Sequence, residues 1–227
     1  MEYLPGGLTL HIPPEGFPLS TDSLVLAHFA RLPKNAKVLD LGSGCGTLGL
    51  LLCAKSAGCH VTGVEIDPAA HAAALDNIAR NGLDARMSSI CADLRSFVPE
   101  HGAFEVCISN PPYFSGGFAS TTHAVARQDD TCPPEVLFTA AGRAVKFGGD
   151  VFIVHKPEKL AQLIACGAAA GLETKNLVLV RHKEGGPITL ILLQFRKGGK
   201  PGLIIDEFSL FDSQNVPTAY YREVYHI

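Results

Sequence analysis

The chain lacks the residue patterns that mark metal sites and disulfide frameworks. Its seven cysteines form no CxxC pair, and its nine histidines form no HExxH sequence. An odd number of scattered cysteines without metal-type spacing is typical of reduced thiols in a cytosolic protein. We therefore expect a cytoplasmic protein with no structural or catalytic metal.

Long apolar runs are also missing. No stretch approaches the ~18–20 residues that a membrane-spanning helix needs, and residues 1–7 lack the features of a signal peptide. We expect no membrane association. No repeat or long linker divides the 227 residues. We therefore predict one domain over 1–227, in which an N-terminal hairpin and helix extension (1–33) precedes the core (34–227).

Strand-like apolar segments alternate with helical segments along the core. The predicted strands are Val38–Leu41, His60–Ile66, Met87–Ala92, Phe104–Ser109, Val151–His155, Leu177–Val180 and Ile188–Phe195. This alternation predicts an α/β fold with a mostly parallel sheet covered by helices on both faces. The last two strands are separated by a short glycine- and proline-containing segment, so we predict a C-terminal antiparallel hairpin.

A glycine-rich turn, Asp40-Leu-Gly42-Ser-Gly44-Cys-Gly46, follows the first predicted core strand. Glycines in such a turn let the backbone approach a ligand where a Cβ would collide. The turn lacks the full G-x-G-x-x-G fingerprint of dinucleotide sites, which favours S-adenosylmethionine as the cofactor. We expect Asp40 to orient either the loop backbone or the methionine ammonium.

Two acidic residues follow in equivalent places. Glu65 closes the second core strand, and Asp93 follows the third. Open α/β sheets bind ligands at the carboxyl ends of their strands. We predict that Glu65 accepts hydrogen bonds from both ribose hydroxyls and that Asp93 accepts one from the adenine amine. The adjoining Ile66 and Leu94, together with Asn110, complete the predicted cofactor site.

The most informative stretch is Asn110-Pro111-Pro112-Tyr113, directly after the fourth core strand. An exocyclic aryl amine is a poor nucleophile because its lone pair is delocalised into the ring. The Asn110 side-chain oxygen and the Pro111 carbonyl can accept its two N–H groups and favour a pyramidal nitrogen. Methyl transfer then depends on proximity and electrostatics, without a covalent nucleophile. We predict these four residues as catalytic, with Tyr113 stacked on the base and Phe114 as an apolar wall.

Positive charge concentrates between residues 181 and 202, although the formal net charge is −3. The cations in this segment are Arg181, Lys183, Arg196, Lys197 and Lys200, and Glu184 alone opposes them. Such a cluster can neutralise phosphates, and a solvated surface explains the charge equally well. If the substrate is a nucleic acid, Arg181, Lys183, Lys197 and Lys200 are the candidate phosphate contacts. Arg127 is then a candidate contact near the acceptor pocket.

These motifs resemble those of class I S-adenosylmethionine-dependent methyltransferases, and Asn-Pro-Pro-Tyr is similar to their amino-methylating branch. Segments 17–27, 195–203 and 220–225 resemble the bacterial tRNA (adenine-N6)-methyltransferases that act on valine tRNA. The resemblance implies a Rossmann-like seven-stranded sheet that methylates N6 of the adenosine 3′ of the anticodon, with tRNA as the partner. Ser20 and Gln128 depart from that family's pattern, in which glycine and histidine are common.

Other readings of the same motifs stay open. Adenine-N6 methylation of rRNA or DNA requires the same pocket with another acceptor. Glutamine-N5 methylation of a protein also requires it, although those enzymes usually carry an N-terminal helical domain. An RNA-binding module without turnover is a further alternative. A dinucleotide-dependent dehydrogenase explains the glycine turn but not residues 110–113.

Overall fold

The N-terminal extension begins with a hairpin and a helix. A computed structural model describes residues 1–13, 18–112 and 132–225. Strands β1 (Glu2–Tyr3) and β2 (Thr9–Leu10) pair antiparallel, which matches the hairpin predicted before the core. Helix α1 (Thr21–Phe29) follows, and the Ser20 hydroxyl caps its first turn.

The remaining elements build a large sheet and its helices. They are β3 (Lys37–Leu41), α2 (Thr47–Lys55), β4 (His60–Glu65), α3 (Pro68–Arg80), β5 (Met87–Cys91), β6 (Phe104–Ser109), α4 (Pro134–Ala144), β7 (Val145–His155), α5 (Leu160–Ala169), β8 (Leu172–Lys183), β9 (Ile188–Lys197), β10 (Ile204–Phe211) and α6 (Ala219–Tyr225). The strand order is β10-β8-β9-β7-β6-β3-β4-β5. In the described part of the chain, β9 alone runs opposite to the other strands of this sheet.

All seven predicted strands are present, and β8 and β9 form the predicted antiparallel hairpin. The predicted strand number was wrong by one, because β10 adds an eighth strand at the sheet edge beside β8. Residues 204–208 of this strand are exposed. An edge strand buries few side chains, so its sequence need not show the apolar pattern by which central strands are identified.

Alternate strand residues face two separate apolar cores. In β3, Val38 packs into a core that includes residues of α1, α2, α3 and α6, whereas Leu39 packs into a second core with α4 and α5. Phe138 and Phe195 meet edge-to-face in the second core, with ring centroids 5.0 Å apart. Helices therefore cover both faces of the sheet, as predicted. In the described ranges, no helix has the length and apolar character to cross a membrane.

Asn77 of α3 and Asn81, which caps the carboxyl end of α3, fasten the extension to the core. Asn77 is fully buried; its side chain accepts a hydrogen bond from the His11 N–H and donates to the carbonyls of His11 and Cys45. Asn81 makes the same paired contact with Thr9. Since Cys45 lies in the glycine turn, Asn77 joins the N-terminal extension directly to the candidate cofactor site.

Candidate active site

The sequence-predicted cofactor residues meet at one edge of the sheet. Asn110, the glycine turn, Glu65 and Asp93 lie at the carboxyl ends of β6, β3, β4 and β5, which are neighbours in that order. Neighbouring strands lie about 4.8 Å apart. The four groups therefore line a continuous strip at the carboxyl ends of the strands, where open α/β sheets bind ligands.

The glycine turn leaves room for a ligand. Gly42 and Gly44 have φ values of 75° and 55°, in the left-handed region that side chains disfavour. No heavy atom lies within 4 Å of the position that a Cβ would take on either residue. Gly46 differs, because a Cβ there would lie 2.8 Å from Met87 Cε. Gly42 and Gly44 thus border open space, whereas the absence of a side chain at Gly46 lets Met87 pack against the turn.

Strand β4 holds the turn in place. The N–H groups of Gly42 and Ser43 donate to the Val64 carbonyl at 2.9 and 3.0 Å. The Gly44 N–H donates to Glu65 Oε2 at 2.7 Å, while Glu65 Oε1 accepts the Asp67 N–H at 2.9 Å. A carboxylate has about four acceptor sites. Glu65 therefore keeps capacity for the two hydroxyls that a ribose presents.

Asp40 is the most unusual group at this edge. Its side chain is fully buried, and neither carboxylate oxygen has a hydrogen-bond partner among the described residues. Burial raises the pKa of Asp40 to about 8, and the charge of Glu65 adds to the shift. Because the N–H groups of Gly42 and Gly44 bond to other acceptors, orientation of the loop backbone is not the role that the geometry favours. A buried acid of this kind is suited to a cationic ligand.

Sequence reasoning missed the Ser43 hydroxyl, which is also buried without a partner in the described structure. It lies against β4, where a Cβ added to Gly63 would be 2.6 Å from Ser43 Oγ. The serine stands between the motif glycines and is unremarkable in the sequence. Its burial depends on the absence of a side chain at Gly63, a contact between elements that no local pattern reveals.

The acceptor motif begins where β6 ends beside β3. Ser109 Oγ donates to the Leu41 carbonyl at 2.7 Å, which ties the two strand ends together. Asn110 Nδ2 donates to Ser23 Oγ of α1 at 3.0 Å. Pro111 is half-buried and Pro112 is exposed. The predicted Tyr113, Phe114 and Arg127 lie outside the described residues.

Asp93 is held by a neighbouring arginine. Its carboxylate accepts hydrogen bonds from the Arg95 backbone N–H at 2.9 Å and pairs with the guanidinium at 2.7 Å. The hydrogen bond from the Arg95 side chain lowers the pKa of Asp93, so the acid is ionised at neutral pH. Ile66, 42% exposed, and Leu94, partly buried against the second core, adjoin the two acids.

The structure separates the predicted phosphate contacts into two groups. Arg181 and Lys183 lie at the carboxyl end of β8, on the same sheet edge as Asn110. Lys197 ends the antiparallel β9, and Lys200 follows it, so both lie at the opposite edge. Ten residues of β9 (188–197) span about 30 Å. Lys197 and Lys200 are therefore not brought together with the acceptor motif.

Two of these cations also have structural partners. The Arg181 guanidinium pairs with Glu207 at 2.7 Å and donates to the Gly186 carbonyl. Lys197 Nζ donates to the carbonyls of Gly142 and Val145 at the end of α4. Lys183 therefore remains the best placed of the four for a phosphate. Within residues 1–13, 18–112 and 132–225, no group of three or more His, Cys, Asp or Glu side chains is arranged to hold a metal.

Comparison with known proteins connects this geometry to characterised families. Residues 20–165 match the family described as "Methyltransferase small domain". A protein from Aliivibrio salmonicida named tRNA1(Val) (adenine(37)-N6)-methyltransferase is 33% identical over 181 residues, covering 79% of this chain and 77% of the relative. A protein of the same name from Dickeya chrysanthemi is 30% identical over 186 residues, covering 80% and 74%.

A solved structure gives the same fold. A predicted O-methyltransferase from Agrobacterium tumefaciens superposes with a TM-score of 0.76 at 18% identity, covering 91% of this chain and 96% of that chain. This likeness confirms the Rossmann-like α/β architecture. The family match spans β3 to β7, which carry the glycine turn, both acids and the acceptor motif. The chain therefore belongs to the methyltransferase small domain family.

Proposed function

We propose that this protein transfers a methyl group from S-adenosylmethionine to the N6 amine of an adenine in tRNA, at the adenosine directly 3′ of the anticodon. The observation that carries the proposal is the position of Asn110-Pro111-Pro112 at the end of β6, beside the open glycine turn. The relatives named as tRNA adenine-N6 methyltransferases support the choice of acceptor.

The cofactor fits the residues present. S-adenosylmethionine, when bound, supplies an electrophilic methyl group on a sulfonium. Glu65 is proposed to accept hydrogen bonds from the ribose hydroxyls, and Asp93 is proposed to accept one from the adenine amine. The adjoining Ile66 and Leu94 are proposed to complete the cofactor site. Asp40 is proposed to accept the methionine ammonium, because its two buried oxygens have no partner in the described structure. The open faces of Gly42 and Gly44 provide the space against which the ligand lies.

The acceptor amine is proposed to be held by Asn110 and Pro111. The Asn110 side-chain oxygen and the Pro111 carbonyl accept its two N–H groups, which favours a pyramidal nitrogen with its lone pair directed at the methyl group. Tyr113 is proposed to stack on the base, with Phe114 beside it. A base in an anticodon loop must leave its stack to reach this position. Because no covalent intermediate is required, proximity and preorganised electrostatics supply the acceleration.

The remaining RNA contacts are proposed from charge. Lys183 lies at the carboxyl end of β8, on the side of the sheet where Asn110 lies, and Arg127 follows the acceptor motif in sequence. We propose both as phosphate contacts, with Arg181 as a weaker candidate because Glu207 already pairs with it. We further propose that 1–227 acts as a single catalytic unit in the cytoplasm. The Asn77 contacts to both the extension and the glycine turn support the first point, and seven free cysteines support the second.

The test is transfer of radiolabelled methyl groups from S-adenosylmethionine to four acceptors in parallel: unmodified tRNA, rRNA, DNA and release-factor protein. We expect label in tRNA that digests to N6-methyladenosine. Replacement of the adenosine 3′ of the anticodon by guanosine is expected to abolish it. Asn110→Ala is the control, and it is expected to lose transfer while it still binds the cofactor more tightly than Glu65→Ala does.

Each alternative acceptor gives a different result. Label confined to protein would replace the proposal with glutamine methylation, and label confined to rRNA or DNA would replace tRNA with that nucleic acid. RNA binding without any label would indicate a binding module. A tRNA whose label survives the adenosine-to-guanosine change would keep the reaction but overturn the assigned position.

A further inference from the structure

Asn110 is held by a residue of helix α1 that is distant in sequence. Its Nδ2 donates a hydrogen bond to Ser23 Oγ at 3.0 Å. Ser23 is only 7% exposed. We propose that Ser23 is a positioning residue that orients the Asn110 amide so that its oxygen, and not its NH2 group, is presented to the acceptor amine. This inference rests on the proposed function.

Orientation matters because the two ends of a carboxamide have nearly the same shape but opposite hydrogen-bonding character. The oxygen accepts, whereas the NH2 group donates. Rotation by about 180° around the terminal torsion of Asn110 exchanges the two ends, and this torsion has two broad minima. With the NH2 group forward, two N–H donors would face each other at the reacting nitrogen. An acceptor at the other end of the amide is what selects the productive state.

The hydroxyl of Ser23 can accept and donate, and Ser20 offers an acceptor for its proton. Ser20 Oγ accepts the Ser23 backbone N–H at 3.2 Å as the cap of α1, and it also lies 3.3 Å from Ser23 Oγ. The Ser23 hydroxyl proton can therefore be donated to Ser20. In that arrangement a Ser23 lone pair accepts from the NH2 group of Asn110, and the contacts run from Asn110 through Ser23 to Ser20.

Helix α1 is fixed well enough to act as the reference for this contact. Thr21 Oγ1 lies 2.7 Å from the Tyr225 hydroxyl of α6. At the other end of α1, Lys55 Nζ donates to the carbonyls of Ala27, His28 and Ala30 at 2.7–2.9 Å. The helix is therefore tied at both ends, and Ser23 presents its hydroxyl from a defined position.

The test compares Ser23→Ala with Ser23→Thr in steady-state methylation of tRNA. We expect Ser23→Ala to lower kcat about 5- to 10-fold, the size of one lost hydrogen bond. The KM for tRNA and the Kd for S-adenosylmethionine should change by less than about twofold, since neither ligand loses a contact of its own. Ser23→Thr restores the hydroxyl and should recover most of the rate. Melting temperatures report folding, and Ser23→Cys replaces Ser23→Ala if the latter does not fold.

Two further variants separate orientation from general loosening of α1. In Asn110→Asp the side chain is a carboxylate, which presents an oxygen whichever way it is rotated. Ser23→Ala should therefore have no additional effect on kcat in that background. Tyr225→Phe removes one hydrogen bond that ties α1 and does not touch Asn110, while the three hydrogen bonds from Lys55 to the other end of the helix remain. It should therefore lower kcat clearly less than Ser23→Ala does.

The proposal is overturned if Ser23→Ala leaves kcat unchanged, or if Tyr225→Phe lowers kcat as much as Ser23→Ala does. The proposal is also overturned if Ser23→Ala lowers kcat as much in the Asn110→Asp background as it does in the parent. If Asn110→Asp is inactive, the comparison of Ser23→Thr with Ser23→Ala decides. A kcat for Ser23→Thr as low as that of Ser23→Ala contradicts the proposal. A parent protein that produces no N6-methyladenosine overturns the proposed function itself, a result distinct from an active parent that is indifferent to Ser23.

Discussion

Glu65 accepts a hydrogen bond from the Gly44 backbone N–H at 2.7 Å, which joins the end of β4 to the glycine turn after β3. One carboxylate thus shapes the turn and is also the group that we propose binds the ribose. The sequence spacing predicted the second of these roles only. Loss of Glu65 should therefore disturb the site in two ways, through the missing acceptor and through a freer turn.

The first prediction concerns cofactor affinity. Glu65→Ala should weaken S-adenosylmethionine binding about 10- to 100-fold, because hydrogen bonds to a charged group contribute about 1.5–3 kcal/mol each. Isothermal titration calorimetry measures the change. Glu158→Ala, an exposed acid just beyond the end of β7, is the matched control and should bind like the parent. Equal affinity for the parent and Glu65→Ala would contradict the assigned role.

A second prediction follows from the buried acid. Asp40 has a pKa of about 8 in the folded protein, against an ordinary value of 3.8. As pH rises from about 4 towards 8, the unfolded chain loses this proton and the folded protein keeps it. Asp40 should therefore make the free energy of unfolding fall across this range, and the stability is lost as pH passes the folded pKa.

Urea denaturation without cofactor at pH 5.5, 6.5 and 7.5 tests this contribution. Asp40→Asn carries no titrating proton and should show a flatter dependence, by up to about 1.4 kcal/mol per pH unit. Glu158→Gln removes one exposed carboxylate and serves as the control, with the slope of the parent. The assignment fails if Asp40→Asn and the parent lose stability at the same rate with pH.

The fold was predictable from the sequence to the extent that buried strands determine it. Val38–Leu41 and Phe104–Ser109 are apolar because both faces of the sheet are covered, and both appear as strands. Strand β10 was not predicted, because an exposed edge strand has no such constraint. The contact of Ser23 with Asn110 also could not be predicted, because it joins residues 87 apart.

The site was predicted in the same uneven way. The glycine turn and the acids after β4 and β5 follow from the position of strand ends, which a strand pattern specifies directly. The grouping of Lys183 with Lys197 does not follow, since proximity in sequence across an antiparallel hairpin does not mean a shared end. Lys197 lies at the far end of β9, and its partners on α4 are visible only in three dimensions.

A third prediction separates structural from RNA-binding lysines. Lys197→Met should lower the free energy of unfolding by about 1–2 kcal/mol, because it removes charged hydrogen bonds to carbonyls at the end of a helix. Lys200→Met should change it by less than about 0.5 kcal/mol, as is usual for a surface position. Neither should raise the KM for tRNA. A large KM increase with Lys200→Met would return the far edge of the sheet to the RNA-binding surface.

A fourth prediction concerns Lys183, which lies at the carboxyl end of β8 on the same side of the sheet as Asn110. Lys183→Glu should raise the KM for tRNA several-fold at low salt and reduce the salt dependence of binding by about one counterion. Its kcat at saturating tRNA should stay close to that of the parent. Lys175→Glu is the control, because Lys175 Nζ donates to the carbonyls of Lys200 and Gly202 away from the site. Identical salt dependence for the parent and Lys183→Glu would exclude Lys183 as a phosphate contact.

The last prediction uses the contact between Ser43 and Gly63. A Cβ on Gly63 would lie 2.6 Å from Ser43 Oγ and 2.8 Å from Ser43 Cβ. Gly63→Ala should therefore lower the free energy of unfolding by about 1–3 kcal/mol, the usual range for overpacking, and weaken S-adenosylmethionine binding by displacing the turn. Ser43→Gly removes both colliding atoms, so the double variant should recover much of the stability and affinity. If the double variant loses the sum of the two single losses, the Gly63 position acts through something other than this contact. Recovery would show that the space left by Gly63 within β4 determines where the glycine turn lies.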